Sequence, residues 1–478
     1  MCGRSAMAKT KNNKLGISKY LFFAVGGFGH DMFFMLLSSY FMMFVTSQLF
    51  TVNGQADAGL IAIVTGIILI VRIVELCVDP IIGGLIDRSH SRFGKFKPWL
   101  ISGGFFAGVG ITIIFTDFGG LSTSQPMLYI FLFTLVYFLL DIFYSCKDIS
   151  YWSLMPAMTL EGKEREKLGT AANVAANLGS NFCTVFIIPG ITAITAVLGN
   201  EKISWGVFAG MVGAIAFVTI CITAFGAKES DNSVRETGEI ITIAKVFKNL
   251  VKNDQLIWSA ICLGLYITAI SITNALILYY FKYCFDGADY FSYVGLLNTC
   301  TGFIVVLLFP VLTKFFTRFT LFSFGVLMIL LGYIVFSFAE GNLVLVFTAV
   351  LLFTLPQPLI LLLYLMIFSD CVEYGQYKNG TRSESATLCV KPILCKLGGA
   401  ISNGVVGFVA VACSMTGNVT YADMAASDIM EFKFFMFVIP AVLVFASMVI
   451  FRLKVRINER MHAEIVEELE KRCVKEQA

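Results

Sequence analysis

Long apolar blocks recur along the chain, and each is long enough to cross a lipid bilayer as a helix. Of the 478 residues, 57% are hydrophobic and 14% are charged, and the mean hydropathy is +0.81. A soluble protein of this length would have about a quarter of its residues charged. A membrane-spanning helix needs about 20 predominantly apolar residues, which is the length of these blocks. The sequence therefore predicts an all-α membrane protein.

Twelve such blocks lie in two groups of six, separated by a polar segment. The predicted spans are 18–46, 59–86, 98–116, 126–154, 168–196, 204–226, 256–282, 288–316, 321–339, 343–369, 385–414 and 431–452. This layout is typical of the major facilitator fold, in which two six-helix bundles enclose a central cavity. The predicted organisation is a cytoplasmic tail (1–17), a first bundle (18–226), a cytoplasmic middle loop (227–255), a second bundle (256–452) and a second cytoplasmic tail (453–478).

Basic residues are concentrated in every second loop between the predicted spans. The intervening loops contain Lys202, Lys282 and Lys433. By the positive-inside rule, the basic loops and both termini lie in the cytoplasm. We therefore expect a multi-pass protein of a cell membrane, and we assign it to a bacterial inner membrane. The last tail has apolar residues at helical spacing, and both a membrane-surface helix and a solvated helix fit this pattern.

Three charged residues interrupt the second predicted span. Arg72, Glu75 and Asp79 follow one another at i, i+3 and i+7, so they share one face of a helix. A single charge placed in hydrocarbon costs about 2.5–3.5 kcal/mol on insertion scales. Three charges on one face therefore indicate a polar cavity.

A second polar face lies on the fourth predicted span. Asp141, Ser145, Asp148 and Trp152 fall at i, i+4, i+7 and i+11, and Lys147 lies off this stripe. Carboxylates accept hydrogen bonds from hydroxyl groups or bind a cation, and an indole offers an apolar face to a sugar ring. The group suits a polyol better than a lipid or a hydrophobic drug, although Trp152 alone could be an interfacial anchor.

Spans 1 and 11 contain further charges. Asp31 lies within an aromatic, apolar run, where a cavity position is favoured because a lipid-facing carboxylate is costly. Lys391 or Lys396 could neutralise the acids of the other bundle, and snorkelling to a surface is the alternative for Lys391. Asp141 is a candidate partner for Lys147 and for Lys391.

No pattern in the sequence indicates an enzyme, a nucleotide site or a metal centre. The phosphate-binding patterns GxxxxGK[ST] and GxGxxG after a strand are absent, and the three histidines form no Ser-His-Asp or metal-ligand pattern. The 13 cysteines are scattered without a CxxC, and a net charge of +3 gives no indication of a nucleic-acid partner. We therefore expect no enzyme activity and no cofactor or metal beyond a coupling cation.

Three motifs carry a family resemblance. They are Asp79-Pro80 with Gly83 and the run SRFGKFKPW at 91–99, the run DISYWSLMP at 148–156, and the run DCVEYGQY at 370–377 with Gly380, Arg382 and Glu384. Together they resemble the glycoside–pentoside–hexuronide:cation symporters of the major facilitator superfamily, the family of the bacterial melibiose carrier. The resemblance covers the whole chain.

The resemblance implies roles for individual residues. The implied cation site comprises Glu75, Asp79 and Ser145, and the implied sugar site comprises Asp31, Asp148 and Trp152, with His30 and Tyr144 nearby. Arg72 and Lys396 match charged residues of the family and are expected to balance these charges. The same role is expected of three residues that look like additions to the family pattern, Asp141, Lys147 and Lys391. A cytoplasmic gate is assigned to Asp87, Arg88, Arg92, Lys95, Arg382 and Glu384, although the basic residues among them also fit an ordinary topogenic role.

Several positions depart from the melibiose carrier. Glu75 replaces an aspartate, and Val78 replaces an asparagine that binds the cation there, so the coupling ion could be Na⁺, H⁺ or Li⁺. Asn173 stands where that carrier has a sugar-binding arginine. The additional Lys147 and Lys391 could hold a hexuronide carboxylate.

The predicted function is secondary active symport by alternating access. A sugar, either a glycoside, a pentoside or a hexuronide, would be imported together with a monovalent cation by a protein that functions as a monomer in the bilayer. The alternative is a proton-coupled exporter or antiporter of a small metabolite with the same fold. A receptor or membrane enzyme is a third class, against which the missing catalytic triads argue.

Overall fold

A computed structural model describes residues 16–52, 55–89, 91–159, 162–227, 251–339, 341–380, 387 and 390–477. Within these ranges, twelve helices are long and apolar enough to cross a membrane, which confirms the predicted fold class and number of spans. They are α1 (Ile17–Gln48), α2 (Ala58–Arg88), α3 (Lys97–Ile114), α4 (Pro126–Met158), α5 (Gly162–Leu198), α6 (Glu201–Gly226), α7 (Asp254–Cys284), α8 (Ala288–Phe315), α9 (Arg318–Ser337), α10 (Leu343–Asn379), α11 (Val390–Ala412) and α12 (Ala426–Lys454). A further helix, α13 (Glu459–Gln477), follows them.

The loop between α1 and α2 contains the strands β1 (Thr51–Val52) and β2 (Gln55–Ala56), which pair in an antiparallel ladder. This short hairpin lies outside the spans. The predicted middle loop is followed by α7, and residues 228–250 lie outside the described part of the chain.

Polar side chains mark the beginning of several spans. The first backbone N–H groups of a helix have no intrahelical acceptor, and a side-chain oxygen at the N-cap satisfies one or two of them. Such caps are provided by Asp57 for α2, Asn200 for α6, Asn253 for α7, Thr317 for α9 and Asn342 for α10. These caps define where the helices begin even though the apolar runs themselves contain no such signal.

The two bundles contact each other at the end opposite the chain termini, which we call the distal end. Tyr279 Oη of α7 lies 2.8 Å from Thr46 Oγ1 of α1, and the N–H of Gly417 donates to the Thr46 carbonyl at 2.8 Å. Along the seam between α2 and α11, a Cβ added at Gly407 would come 2.4 Å from Thr65 Oγ1. The distal end is therefore closed by direct contacts between the bundles.

The tail helix α13 docks on the second bundle. Ile457 and Ile465 are buried, and His462 Nε2 lies 3.6 Å from Asp370 Oδ1 of α10. Arg318 at the start of α9 donates to the same carboxylate. The tail therefore packs on the protein itself, and both the membrane-surface and the solvated interpretation of its outer face stay predictions.

Candidate functional site

The charged residues of α2 lie against α4 inside the first bundle. Arg72 Nη1 donates to Glu75 Oε2 at 3.0 Å and to Asp141 Oδ1 at 2.9 Å. Arg72, Glu75 and Asp141 are all buried. A buried charge is tolerated when it is paired and hydrogen-bonded, and here one guanidinium serves two carboxylates. The polar faces of α2 and α4 thus form one cluster.

Lys396 of α11 crosses from the second bundle into this cluster. Its Nζ lies 2.8 Å from Glu75 Oε1, 2.5 Å from Asp79 Oδ2 and 3.9 Å from Asp148 Oδ2. Ser145 Oγ donates to Glu75 Oε1 at 3.2 Å. The residues of the implied cation site therefore lie together, and the Lys396 ammonium group lies between the two carboxylates.

Asp141 has a different partner from the one expected. Its carboxylate binds Arg72, whereas neither Lys147 nor Lys391 forms an ion pair with it within the described residues. The expectation that Asp141 pairs with either lysine is therefore wrong. The reason is geometric: Arg72 lies on the face of α2 that packs against α4, so its guanidinium reaches Asp141 first.

A second group of polar residues joins α1 to α4. His30 Nε2 lies 3.2 Å from Asp148 Oδ1, 3.3 Å from Tyr144 Oη and 3.9 Å from Asp31 Oδ1. His30 is buried, whereas the side chain of Asp31 keeps 35% of its surface exposed and that of Asp148 keeps 18%. The residues of the implied sugar site thus converge, with two carboxylates accessible and an imidazole behind them.

The indole of Trp152 lies beside this group and is half-buried. Its ring is perpendicular to those of Tyr151 and His30, with centroid separations of 5.1 and 6.3 Å. Part of the indole surface is therefore available to a ligand next to Asp148. Asn173 of α5 is exposed, and its Nδ2 donates to the Gly169 carbonyl at 2.8 Å.

The two additional lysines occupy different environments. Lys147 is only 2% exposed, and its Nζ lies 4.4 Å from the ring centroid of Tyr144 and 4.5 Å from that of Phe33. These distances are typical of cation–π contacts. Lys391 is half-buried, and no carboxylate of the described residues lies within ion-pair distance of it. Lys147 is thus enclosed by aromatic rings, and Lys391 is unpaired within the described part.

Carboxylates outnumber permanent positive charges in the combined cluster. The acids are Asp31, Glu75, Asp79, Asp141 and Asp148, and the bases are Arg72, Lys147 and Lys396. Two buried acceptor atoms, Asp79 Oδ1 and Asp141 Oδ2, receive no hydrogen bond from the described residues. An excess of buried negative charge is costly unless it is compensated. No group of three or more His, Cys, Asp or Glu residues suited to a metal ion occurs in the described part.

Half of the predicted cytoplasmic gate, Arg88, Arg92 and Lys95, falls on described side chains. Arg382, Glu384 and the Asp87 side chain lie outside them. The Arg92 guanidinium lies 4.9 Å from the ring centroid of its neighbour Phe93, and Lys95 Nζ lies 5.4 Å from that of Phe96. The gate therefore stays a prediction.

Sequence reasoning missed one residue that borders the site. Tyr151 is fully buried and stacks on His30 with a centroid separation of 5.6 Å. Its position seven residues after Tyr144 places both rings on one face of α4, which was the available signal. From the sequence alone, Tyr151 looks like an ordinary core tyrosine, because the sequence does not show which face of α1 its ring contacts.

These features define a class of protein: a multi-pass membrane transporter with two bundles and a charged, partly accessible site between them. A family model described as MFS/sugar transport protein matches residues 22–459. The chain is 42% identical over 453 residues to a lactose permease of Lactobacillus delbrueckii subsp. bulgaricus, covering 94% of this chain and 72% of that protein. It is 37% identical over 465 residues to a raffinose carrier protein of Pediococcus pentosaceus, covering 96% of this chain and 72% of that protein. The chain therefore belongs to the MFS/sugar transport protein family.

Solved structures agree with the fold. The chain superposes on a mutant of the nucleoside transporter NupG with a TM-score of 0.62 at 13% identity, covering 91% of this chain and all of that one (100%). It also superposes on the Escherichia coli fucose:proton symporter FucP, with a TM-score of 0.52 at 16% identity. This superposition covers 92% of this chain and 98% of that one. At these identities the similarity supports the major facilitator architecture alone.

Proposed function

We propose that the protein is a symporter that imports a neutral sugar together with a monovalent cation by alternating access. The observation that carries this proposal is the juxtaposition of two groups. Accessible carboxylates and an indole lie beside a buried cluster in which Lys396 of one bundle lies between Glu75 and Asp79 of the other. The proposed sugar site, the proposed cation site and the contact between the bundles therefore adjoin one another at Lys396.

The sugar would bind between α1 and α4. Asp31 and Asp148 can accept hydrogen bonds from hydroxyl groups, and the half-buried indole of Trp152 can pack against the apolar face of a pyranose ring. His30 donates to Asp148 and so orients its carboxylate. This arrangement suits a glycoside, and the similar proteins are named for lactose and raffinose.

The position of Lys147 favours a neutral sugar over a hexuronide. Its ammonium group is enclosed by Tyr144 and Phe33 and is 2% exposed, so a substrate carboxylate could not reach it without displacing these rings. The accessible groups, Asp31 and Asp148, would repel an acidic sugar. A neutral glycoside or oligosaccharide is therefore the proposed substrate.

The coupling cation would compete with the ammonium group of Lys396. Nζ of this lysine lies within 2.8 Å of both Glu75 and Asp79, where a bound cation would also be stabilised. Binding of a cation by Glu75, Asp79 and Ser145 would release Lys396 and thereby loosen the contact between the bundles. Na⁺, Li⁺ and H⁺ all fit this scheme, and no other cofactor is proposed.

Alternating access would follow from this competition. In this structure the distal end is closed. A carrier that holds sugar and cation has fewer uncompensated charges than the empty one, so its two bundles can reorient more readily to open the distal end. One charge moved down 100 mV is worth about 2.3 kcal/mol, which corresponds to between one and two decades of sugar accumulation.

The orientation and assembly are part of the same proposal. The basic loops support a cytoplasmic location of both termini, and a bacterial cell is proposed because the two relatives reported above are bacterial proteins. A functional monomer without enzyme activity is part of this proposal.

The test is uptake of radiolabelled lactose and raffinose into proteoliposomes under an imposed Na⁺ gradient, an imposed pH gradient or neither. Asp148→Ala is expected to abolish sugar binding, and Asp79→Cys is expected to abolish cation-driven accumulation. Undiminished uptake by Asp148→Ala would refute the sugar site. Transport of sugar only out of the compartment that corresponds to the cytoplasm would favour the exporter instead.

A further inference from the structure

Five aromatic rings form a continuous stack between α1 and α4. In order they are Phe33, Tyr144, His30, Tyr151 and Phe23, so the rings alternate between the two helices. Successive centroids are 5.4, 5.5, 5.6 and 4.7 Å apart, and successive ring planes differ by at most 20°. His30 is the central ring of this stack.

Tyr151 is the most firmly anchored member of the stack. Its hydroxyl donates to the Phe23 carbonyl at 2.8 Å, and the side chain is 0% exposed. The ring lies against two glycines of α1, since a Cβ at Gly26 would come 2.8 Å from its Cε2 atom and one at Gly27 would come 2.9 Å from its hydroxyl. The absence of side chains at these two glycines allows the ring to lie on the α1 backbone.

The His30 ring is held between Tyr144 and Tyr151 and cannot turn without breaking the stack. In this orientation Nε2 lies 3.2 Å from Asp148 Oδ1. Nδ1 is buried and has no hydrogen-bond partner in the described part of the chain, so no polar contact at that atom holds the imidazole. The stacked rings therefore hold the plane of the imidazole, and the polar contacts at Nε2 act together with them.

We propose that Tyr151 is a positioning residue for sugar binding, acting through His30 on the carboxylate of Asp148. This inference rests on the proposed function, because it assumes that Asp148 binds the sugar. Tyr151 itself lies behind His30, whereas Tyr144 contacts His30 Nε2 directly at 3.3 Å and so belongs to the site. Tyr151 also meets Trp152 edge to face, with a centroid separation of 5.1 Å.

The location of Tyr151 separates sugar affinity from cation binding. Its ring contacts are with α1 and with Trp152, whereas the cation cluster is built from α2, the middle of α4 and Lys396 of α11. Loss of the ring should therefore weaken sugar binding and leave cation binding unchanged. A general loss of structure would weaken both.

The experiment compares Tyr151→Leu and Tyr151→Phe with Tyr129→Leu in the purified, full-length protein. Tyr129 is a matched control on the same helix: it is also 0% exposed, and its hydroxyl donates to a backbone carbonyl, that of Thr116, at 3.1 Å. Lactose affinity is expected to fall by about tenfold or more in Tyr151→Leu, as for the loss of a well-oriented hydrogen bond to a charged group. Tyr151→Phe keeps the ring and should stay close to wild type, as should Tyr129→Leu.

A double-mutant cycle tests whether the effect passes through His30. In a His30→Gln background, Tyr151→Leu should cause no further loss of lactose affinity, because the residue that Tyr151 positions is already gone. Full additivity of the two losses would overturn the proposal, and so would unchanged affinity in Tyr151→Leu alone. If Tyr151→Leu does not fold, Phe23→Leu replaces it in the same cycle, because this variant removes the outermost ring of the stack. The expected and the contradicting results are the same.

A readout without sugar separates this inference from the proposed function. Diethyl pyrocarbonate modifies unprotonated imidazoles, and mass spectrometry can follow His30 with the more exposed His462 as an internal reference. Modification of His30 should be slow in the wild type and in Tyr129→Leu and faster in Tyr151→Leu. Equal rates at His30 in all three would overturn the positioning role, whereas a protein that shows these rates but binds no sugar would refute only the proposed function.

Discussion

Lys396 of the second bundle places its ammonium nitrogen 2.8 Å from a carboxylate oxygen of Glu75 in the first bundle. The same nitrogen lies 2.5 Å from Asp79. A single side chain therefore connects the two halves of the protein at the acids that are proposed to bind the coupling cation. Any cation that binds there must replace this lysine as the counter-charge, which links cation occupancy to the contact between the bundles.

Removal of this lysine should strengthen cation binding and abolish coupling. In Lys396→Met, Glu75 and Asp79 lose their internal counter-charge, so the affinity for the coupling cation should rise by about tenfold, equivalent to about 1.4 kcal/mol. Sugar accumulation should fall to background because the cation no longer changes the contact between the bundles. The change in cation affinity can be measured by isothermal titration with Na⁺ and Li⁺ and by proton uptake on addition of sugar. Lys391→Met is the control, and an equal effect of both substitutions would contradict the role of Lys396.

Arg72 should be essential for stability because it compensates two buried acids. In Arg72→Met, both Glu75 and Asp141 lose a charged hydrogen bond, and breaking a buried ion pair from one side costs about 3–5 kcal/mol. Thermal unfolding in detergent should show a large decrease in stability, and adding Asp141→Asn should restore part of it.

The control for Arg72→Met is Lys202→Met. Lys202 pairs with Asp117 at 3.2 Å in a more exposed setting, where an ion pair is worth about 0–1 kcal/mol. Similar losses of stability in Arg72→Met and Lys202→Met would show that the buried cluster is not the stabilising feature we describe.

Closure of the distal end should depend on the absence of a side chain at Gly407. A Cβ there would come 2.4 Å from Thr65 Oγ1, and overpacking of this kind costs about 1–3 kcal/mol. Gly407→Ala should therefore slow uptake while lactose still binds, because the carrier cannot complete the closed state.

Two further variants make the Gly407 prediction specific. At Gly404, one turn earlier on α11, the nearest atom to an added Cβ is Leu69 Cδ2 at 3.8 Å, so Gly404→Ala should transport normally. The double variant Gly407→Ala with Thr65→Ala should regain uptake. Failure of Thr65→Ala to rescue transport would argue that Gly407 acts by some other route.

Substrate competition should distinguish neutral from acidic sugars. Because Lys147 is enclosed by Tyr144 and Phe33, its ammonium group is not accessible at the sugar site, whereas the carboxylates of Asp31 and Asp148 are partly exposed. Unlabelled raffinose should compete with labelled lactose for uptake, and a glucuronide at the same concentration should not. Strong competition by the glucuronide would contradict the neutral-sugar assignment.

The positions of the spans could be predicted because hydrocarbon thickness and helix geometry together determine the length of an apolar block. The predicted span 126–154 corresponds to Pro126–Met158, and 288–316 corresponds to Ala288–Phe315. The tenth span was predicted to end at 369 but continues to Asn379. Its charged last turns, with Asp370 and Lys378, resemble a loop in the sequence, yet they form a helix because they bind Arg318, Asp254 and α13.

The candidate site was predictable as a set of residues but not as a set of pairs. The helical period and the cost of burying charge in hydrocarbon identified the charged faces of α2 and α4, because four acids in two membrane helices require a polar environment. Which base meets which acid depends on helix rotation and spacing, which the sequence does not encode locally. For this reason the sequence left Lys147 and Lys391 as candidate partners of Asp141, which binds Arg72. Tyr151 resembles an ordinary core residue among its apolar neighbours in the sequence.

Cation-driven sugar accumulation in proteoliposomes is the most direct test of the central claim. Wild-type protein should accumulate lactose only while a Na⁺, Li⁺ or H⁺ gradient is maintained, and an ionophore that collapses that gradient should release the sugar. Asp79→Cys should equilibrate lactose without accumulating it. Accumulation that continues without any cation gradient, or that persists fully in Asp79→Cys, would contradict the coupling of sugar to a cation at this site.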